Sequence, residues 1–161
     1  LKRLDAQVRL REENAKYLSD KLRSIDGIAP LVQDPRTTLH GYHIYMFRFD
    51  EAALGLPRGK FIDALVAEGI PAFSGYTFPL YRNPMFLEKC FINGPFPLGT
   101  QYHQDISYAE FADVCPVSEK ACRSEAVWLP QNVFLGNKDD MDDVARAVEK
   151  VLGHLSRSSI Q

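Results

Sequence analysis

The first part of the chain carries apolar residues at helical spacing. Leucine, valine and alanine recur at steps of three and four residues, and Arg11 is the only polar member of this stripe. The members of the stripe are Leu1, Leu4, Val8, Arg11, Ala15, Leu18 and Leu22. The pattern predicts a helix of about six turns that stops near Gly27. We expect its stripe to need a second surface along its whole length, from a partner domain or a subunit.

The middle of the chain predicts a strand, a helix and a second strand. Segment 41–50 is mostly apolar or aromatic on both faces, which is typical of a central strand, and its alternation places His43, Tyr45, Phe47 and Phe49 on one face. An apolar helical stripe begins after Pro57 and ends at Gly69. Segment 70–74 predicts a short strand, which Pro71 restricts to an edge.

The second half begins with an unusual segment, 75–105, that is rich in proline, glycine and aromatic residues. A loop of this length inside a compact domain is more often functional than not. Helical character follows over 108–124 with a break at Cys115 and Pro116, and 127–130 predicts a short strand. The last predicted helix is capped by Asn137, and its apolar stripe is Met141, Val144, Ala145, Val148, Val151 and Leu152.

These elements predict an α/β fold of the two-layer α+β type. Strands separated by helices of different lengths favour a small mixed or antiparallel sheet with helices on one face.

Composition adds limits on function. The chain has 161 residues, of which 45% are hydrophobic and 25% charged, and these values are typical of one globular domain. A net charge of -2 gives no sign of a nucleic-acid or anionic-membrane surface, and no apolar run is long enough to span a membrane. Three cysteines without a CxxC spacing indicate reduced thiols in a cytoplasmic protein. The chain starts inside a helical pattern without an initiating Met, which we interpret as part of a longer protein.

A search for chemical motifs finds no phosphate-binding glycine loop and no nucleophile elbow. No carboxylate stands at ligand spacing beside His40 and His43, so a polar strand end explains them better than a metal site does, and we predict no metal site. The aspartates at 139, 140, 142 and 143 could suggest a calcium site, but they lack the EF-hand order, and a helix start, which favours acidic residues, is the better interpretation. Cys115 could pair with His103 as a nucleophile or be a buried thiol.

Several short motifs follow one another in a characteristic order. They are Arg11 to Ala15 followed by Leu22, the strand Tyr42 to Asp50, Gly55 to Phe61 with Leu65 and Glu68 to Pro71, Gly75 to Phe86, Cys115 to Lys120, Trp128 to Pro130, and the Asp-rich start of the last helix. The set resembles the C-terminal part of the DegT/DnrJ/StrS family of pyridoxal-phosphate-dependent sugar aminotransferases, over about residues 1–153.

The resemblance implies the fold of type I aminotransferases, in which a large domain carries the cofactor and its Schiff-base lysine. It implies a connecting helix at 1–26 from a missing N-terminal domain, a small C-terminal domain at 27–155 and a frayed tail at 156–161. Lys60 does not match the Schiff-base lysine. We therefore expect this chain alone to bind no pyridoxal phosphate and to be inactive, whereas the intact enzyme would use the cofactor as a homodimer.

The resemblance also implies a substrate site in the segment after residue 74. The residues expected to bind substrate are Gly75, Tyr76, Pro79, Leu80 and Tyr81. Many relatives carry histidine at the positions of Gly75 and Tyr81, and this form looks most like the branch that acts on cyclitol ketones or aminohydroxybenzoate-type precursors. The tyrosine hydroxyls could bind a polyol or a phosphate, or the rings could only pack the loop.

Two functions remain open from the sequence. The first is the substrate side of an aminotransferase that converts a sugar or cyclitol ketone to an amine, with glutamate or glutamine as donor. The second is a free-standing, non-catalytic α/β module for ligand binding or regulation, which would hide the stripe of the first helix within itself.

Overall fold

A computed structural model describes residues 2–88 and 107–158. Its helices are α1 (Leu4–Leu22), α2 (Glu51–Leu54), α3 (Arg58–Ala67), α4 (Pro84–Leu87), α5 (Phe111–Val114), α6 (Pro116–Lys120) and α7 (Lys138–Ser158), and its strands are β1 (Ile28–Pro30), β2 (Ile44–Phe49) and β3 (Ala126–Pro130). The chain divides into two compact units. The first unit comprises Leu1–Gly75 and Ser124–Gln161, and the second unit is Tyr76–Arg123.

The sheet of the first unit is antiparallel, with strand order β1-β2-β3 among the described residues. Phe47 of β2 lies opposite Pro30 of β1 and Val127 of β3. One face of β2 is buried in a single apolar core with side chains of α1, α3 and α7. The predicted fold class, a small antiparallel sheet with helices on one face, is therefore confirmed.

Aromatic rings fill this core because β2 turns every second side chain to the helices. The predicted inward residues Tyr45, Phe47 and Phe49 are buried, whereas His43 lies exposed just before the strand. Phe49 stacks on Phe61 of α3 with 4.6 Å between ring centroids. This contact joins the strand to α3, the second helix after it in sequence.

The predicted strand at 70–74 is wrong in extent. Phe73 forms one isolated bridge with Trp128 on β3, through Phe73 N–H to Trp128 O at 3.0 Å and Trp128 N–H to Phe73 O at 2.8 Å. Pro71 has no N–H to donate, so a longer ladder cannot form there. Strand β1, which the sequence analysis did not predict, is only three residues long and shows no usable alternation.

The stripe of α1 behaves differently along its length. Leu4 is 46% exposed, whereas Ala15, Leu18 and Leu22 are fully buried in the core of the first unit. The expectation that the whole stripe needs a partner surface is therefore wrong for the second half of the helix, because α7 and the turn Gln131–Leu135 cover it. Leu1 lies outside the described residues.

The last helix matches its prediction closely. All six members of its predicted stripe are buried. Asp140 N–H donates to Asn137 Oδ1 at 3.1 Å, and Asn137 N–H donates back to Asp140 Oδ2 at 2.7 Å, which confirms the predicted cap. The helix continues to Ser158, into the segment where the sequence predicts a frayed tail.

The described residues of the second unit, 76–88 and 107–123, form short helices and turns around a small aromatic cluster. Tyr108 lies 5.3 Å from Phe86 and 5.7 Å from Phe111, measured between ring centroids. The break at Cys115 is confirmed, and Pro116 is the first residue of α6. The remainder of the aromatic loop, 89–106, lies outside the described residues and includes His103 of the candidate nucleophile pair.

Among residues 2–88 and 107–158, no helix is both long and apolar enough to cross a membrane.

Candidate functional site

Tyr81 is the best-defined of the five predicted substrate residues. It lies in a single 3-10 turn, Leu80–Arg82, that Pro79 precedes. Its hydroxyl donates to Glu119 Oε1 at 2.9 Å, and Arg82 Nε donates to the same oxygen at 2.6 Å. Glu119 lies on α6, so a turn and a helix of the second unit together hold the phenol in place.

The charges of this cluster fix its protonation. Burial of the phenol, together with its hydrogen bond to the Glu119 carboxylate, raises the pKa of Tyr81 to about 12. The hydrogen bond from Arg82 lowers the pKa of Glu119. A tyrosine phenol is neutral at neutral pH with or without this shift. The proton of the Tyr81 phenol is directed to the Glu119 carboxylate, and the lone pairs of the phenol oxygen can accept a hydrogen bond from a ligand hydroxyl.

The other predicted residues have different surroundings. Tyr76 and Leu80 are 71% and 70% exposed, whereas Pro79 is buried. The structure thus pairs Tyr81 with Arg82 and Glu119, which the sequence analysis had not selected as site residues. Both belong to the motifs that carry the family resemblance, and that was the only signal available for them.

Gly75 ends the first of the two segments that form the first unit, and it has a left-handed backbone with φ of +71°. A Cβ atom added to it would lie 2.7 Å from Cδ2 and Cζ2 of the Trp128 indole and closer still to Cε2. The role of Gly75 in this structure is therefore steric: its backbone lies directly against an aromatic ring.

A cleft of about 420 Å³ opens on the first unit beside Trp128. Met46 and Tyr42 line it, together with residues of the segment 31–40. His40 N–H donates to Glu12 Oε1 at 3.2 Å, and Tyr42 N–H donates to His40 Nδ1 at 3.1 Å. His40 thus ties the loop before β2 to helix α1, as a polar residue near a strand end.

Four of the described lysines are poorly placed to hold pyridoxal phosphate. The cofactor needs a lysine amine in a pocket and an acidic partner for its pyridine nitrogen. Lys60 lies exposed on the first turn of α3, and Lys16, Lys21 and Lys150 form ion pairs with carboxylates near the surface. No group of three His, Cys, Asp or Glu side chains in the described part is arranged to hold a metal ion.

Comparison with known proteins gives a consistent result. A model of the DegT/DnrJ/EryC1/StrS aminotransferase family matches residues 1–149. A protein of Micromonospora echinospora described as a putative L-glutamine:3-amino-2,3-dideoxy-scyllo-inosose aminotransferase is 35% identical, over 98% of this chain and 38% of its own length. The L-glutamine:2-deoxy-scyllo-inosose aminotransferase of Streptoalloteichus tenebrarius is also 35% identical, over 96% of this chain and 35% of its own length.

The solved structures agree in fold. The crystal structure of 3-amino-5-hydroxybenzoic acid synthase matches with a TM-score of 0.70 and 29% identity, over 94% of this chain and 36% of that one. The chain thus spans only about a third of the length of the relatives it matches.

Proposed function

We propose, from the premise that this chain belongs to the DegT/DnrJ/EryC1/StrS aminotransferase family, that it is the C-terminal, substrate-side part of an aminotransferase. The reaction converts a cyclitol or sugar ketone to an amine, with L-glutamine as the favoured donor and glutamate as the alternative. The observation that carries the proposal is the family match over residues 1–149, together with the cyclitol substrates in the names of its relatives.

The proposal places the reactive group outside this chain. Pyridoxal phosphate supplies the electron sink of a transaminase when it is bound. We assign its lysine and its acidic partner to an N-terminal domain of the intact enzyme, because this chain spans only about a third of the length of its relatives. We further propose that this enzyme is a cytoplasmic homodimer, of which residues 1–26 form the connecting helix and residues 27–155 the small domain.

Within this chain, we assign substrate contact to the segment from Gly75 to Tyr81. The neutral phenol of Tyr81 is held by Glu119 and can accept a hydrogen bond from a cyclitol hydroxyl. The exposed ring of Tyr76 and the exposed side chain of Leu80 provide apolar surface for the carbon face of such a ring. Their role is to bind and orient the ketone and to exclude water while it reacts.

The proposal is tested by amino transfer with the full-length enzyme that contains this chain. We expect transfer from L-glutamine to 2-deoxy-scyllo-inosose, with a nucleotide-linked keto sugar as the competing acceptor. A preference for the nucleotide-linked sugar would reassign the substrate class. Absence of transfer to both acceptors from either donor, in an enzyme that carries its cofactor, would refute the proposal.

One observation favours the second function, a free-standing non-catalytic module. The buried second half of the α1 stripe is what such a module requires, since Leu18 and Leu22 are covered by this chain itself. Sedimentation of the 161-residue chain separates the two functions. Self-association through exposed apolar side chains supports the aminotransferase part, and a stable monomer that binds a small molecule by itself supports the module.

A further inference from the structure

Residues 76–81, which we call the substrate segment, follow a backbone that is paired with strand β3 at one residue, Phe73. Phe73 exchanges two hydrogen bonds with Trp128, at 3.0 and 2.8 Å, and their rings meet edge to face with centroids 5.7 Å apart. Two residues later the chain reaches Gly75. The last part of the first unit before the substrate segment is therefore held from both its main chain and its side chains.

The indole of Trp128 then supports the backbone at Gly75. Carbon atoms of different residues normally lie about 3.5–4.0 Å apart at closest contact. A side chain at position 75 would come within 2.7 Å of the indole, so only glycine lets the main chain take this route. Its φ of +71° adds a second reason, because L-residues rarely adopt that conformation.

The indole also contacts the neighbouring strand. Its Nε1–H points to Met46 Sδ at 3.0 Å, and Met46 lies opposite Trp128 in the register of β2 and β3. This contact and the edge-to-face contact with Phe73 hold the ring beside Gly75.

We infer that Trp128 is a positioning residue for the substrate segment: its indole fixes the backbone at Gly75, from which residues 76–81 start. The expected effect on binding of the ketone acceptor rests on the proposed function. The structural part of the inference, the coupling of Gly75 to Trp128, is independent of any activity. Position 75 therefore affects acceptor binding through Trp128, so that a larger residue at 75 requires a smaller residue at 128.

The experiment is a double-substitution cycle in the full-length enzyme, with Gly75→Ala, Trp128→Phe and the combination of both. Gly55→Ala is the matched control, since Gly55 also has a positive φ, of +61°, but would place its Cβ in open space. Two readouts are measured. The first is amide hydrogen exchange of peptides within 76–88, and the second is the KM for the ketone acceptor, compared with the rate of the donor half-reaction.

We expect Gly75→Ala to raise the acceptor KM about tenfold and to speed amide exchange in residues 76–88. A coupling between positions 75 and 128 that corresponds to this tenfold change is typical of residues in contact. In the Trp128→Phe background the same substitution changes KM by no more than about twofold, since only the backbone strain remains. The donor half-reaction and the exchange of α7 stay unchanged. Gly55→Ala leaves exchange in 76–88 at the level of the unaltered enzyme.

Two results overturn the inference. One is a Gly75→Ala variant with unchanged exchange in 76–88. The other is an effect of the same size in both backgrounds, which would assign it to backbone strain alone. If the unaltered enzyme transfers no amino group, the proposed function fails, and the exchange measurements still decide whether Trp128 positions the segment.

Discussion

At the scale of single residues, Tyr81 shows how a side chain becomes suited to bind a ligand. Its phenol is neutral at neutral pH, and burial together with the Glu119 carboxylate raises its pKa further, to about 12. Its position is fixed because Arg82 binds the same carboxylate oxygen. A neutral, oriented hydroxyl can accept a hydrogen bond from a polyol without changing its charge.

In the full-length enzyme, we expect Tyr81→Phe to lower kcat/KM for the ketone about tenfold, the value of one hydrogen bond in a transition state. The melting temperature should change by less than about 3 °C, since Glu119 keeps its bond to Arg82. The matched control is Tyr17→Phe, which removes a similar bond to Asp142 at 3.0 Å. It should leave kcat/KM unaltered. Equal losses of activity and stability in Tyr81→Phe would mark Tyr81 as structural.

Tyr45 differs because its phenol lies in the core. Burial raises its pKa from 10.0 to about 12, against the opposing effect of its hydrogen bond with Ser19. The folded state therefore keeps the proton where the unfolded state has lost it. The stabilisation that this provides is fully present below pH about 10 and is lost as the pH rises through about 12.

We expect the free energy of unfolding to fall by about 3 kcal/mol over that pH range from this residue. Tyr45→Phe should remove that part of the decline. Urea unfolding at pH 9, 10, 11 and 12 measures it. An unchanged slope in Tyr45→Phe would show that the phenol is not buried in the folded protein.

At the scale of elements, the ends of helices are defined by side chains next to them in sequence. Asn137 and Asp140 exchange hydrogen bonds at the start of α7, and these bonds satisfy two N–H groups that the helix leaves unpaired. The first turn also carries Asp139, which suits the positive end of the helix dipole.

Asn137→Ala should lower the free energy of unfolding by about 1 kcal/mol, as other cap losses do. Asn137→Ser keeps an oxygen acceptor at the cap and should stay within about 0.5 kcal/mol of the unaltered protein. Chemical unfolding followed by circular dichroism compares the two. A serine variant as unstable as the alanine variant would mean that the cap bond contributes nothing.

At the scale of the whole molecule, α1 belongs to the same compact unit as the sheet and α7. Asn14 strengthens this association, since its amide donates to the carbonyls of Phe134 and Gly136 at 3.1 and 2.9 Å. The second half of α1 is thus part of the core of the first unit.

Leu18→Ala should therefore cost about 2–5 kcal/mol, the usual loss for a fully buried leucine. Leu4→Ala should cost less than about 0.5 kcal/mol, because Leu4 is 46% exposed. Denaturant unfolding of both variants tests this. A small effect of Leu18→Ala would contradict the packing of α1 in the core of the first unit.

The sequence by itself determined the elements with long periodic patterns. The apolar stripes of α1, α3 and α7 and the alternation of β2 are recorded in the residues because each such element buries one face. The order of the motifs also determined the family. An apolar stripe does not indicate which surface covers it. For the second half of α1, the covering surface is part of this chain.

Only the tertiary structure decided the contacts between distant residues. The bond from Tyr81 to Glu119, the single bridge from Phe73 to Trp128, and the approach of Gly75 to the indole join segments that local pattern treats as independent. A hydrogen bond or a steric fit between such segments leaves no periodic signal, since its energy depends on where the fold brings two side chains together and not on their neighbours in sequence.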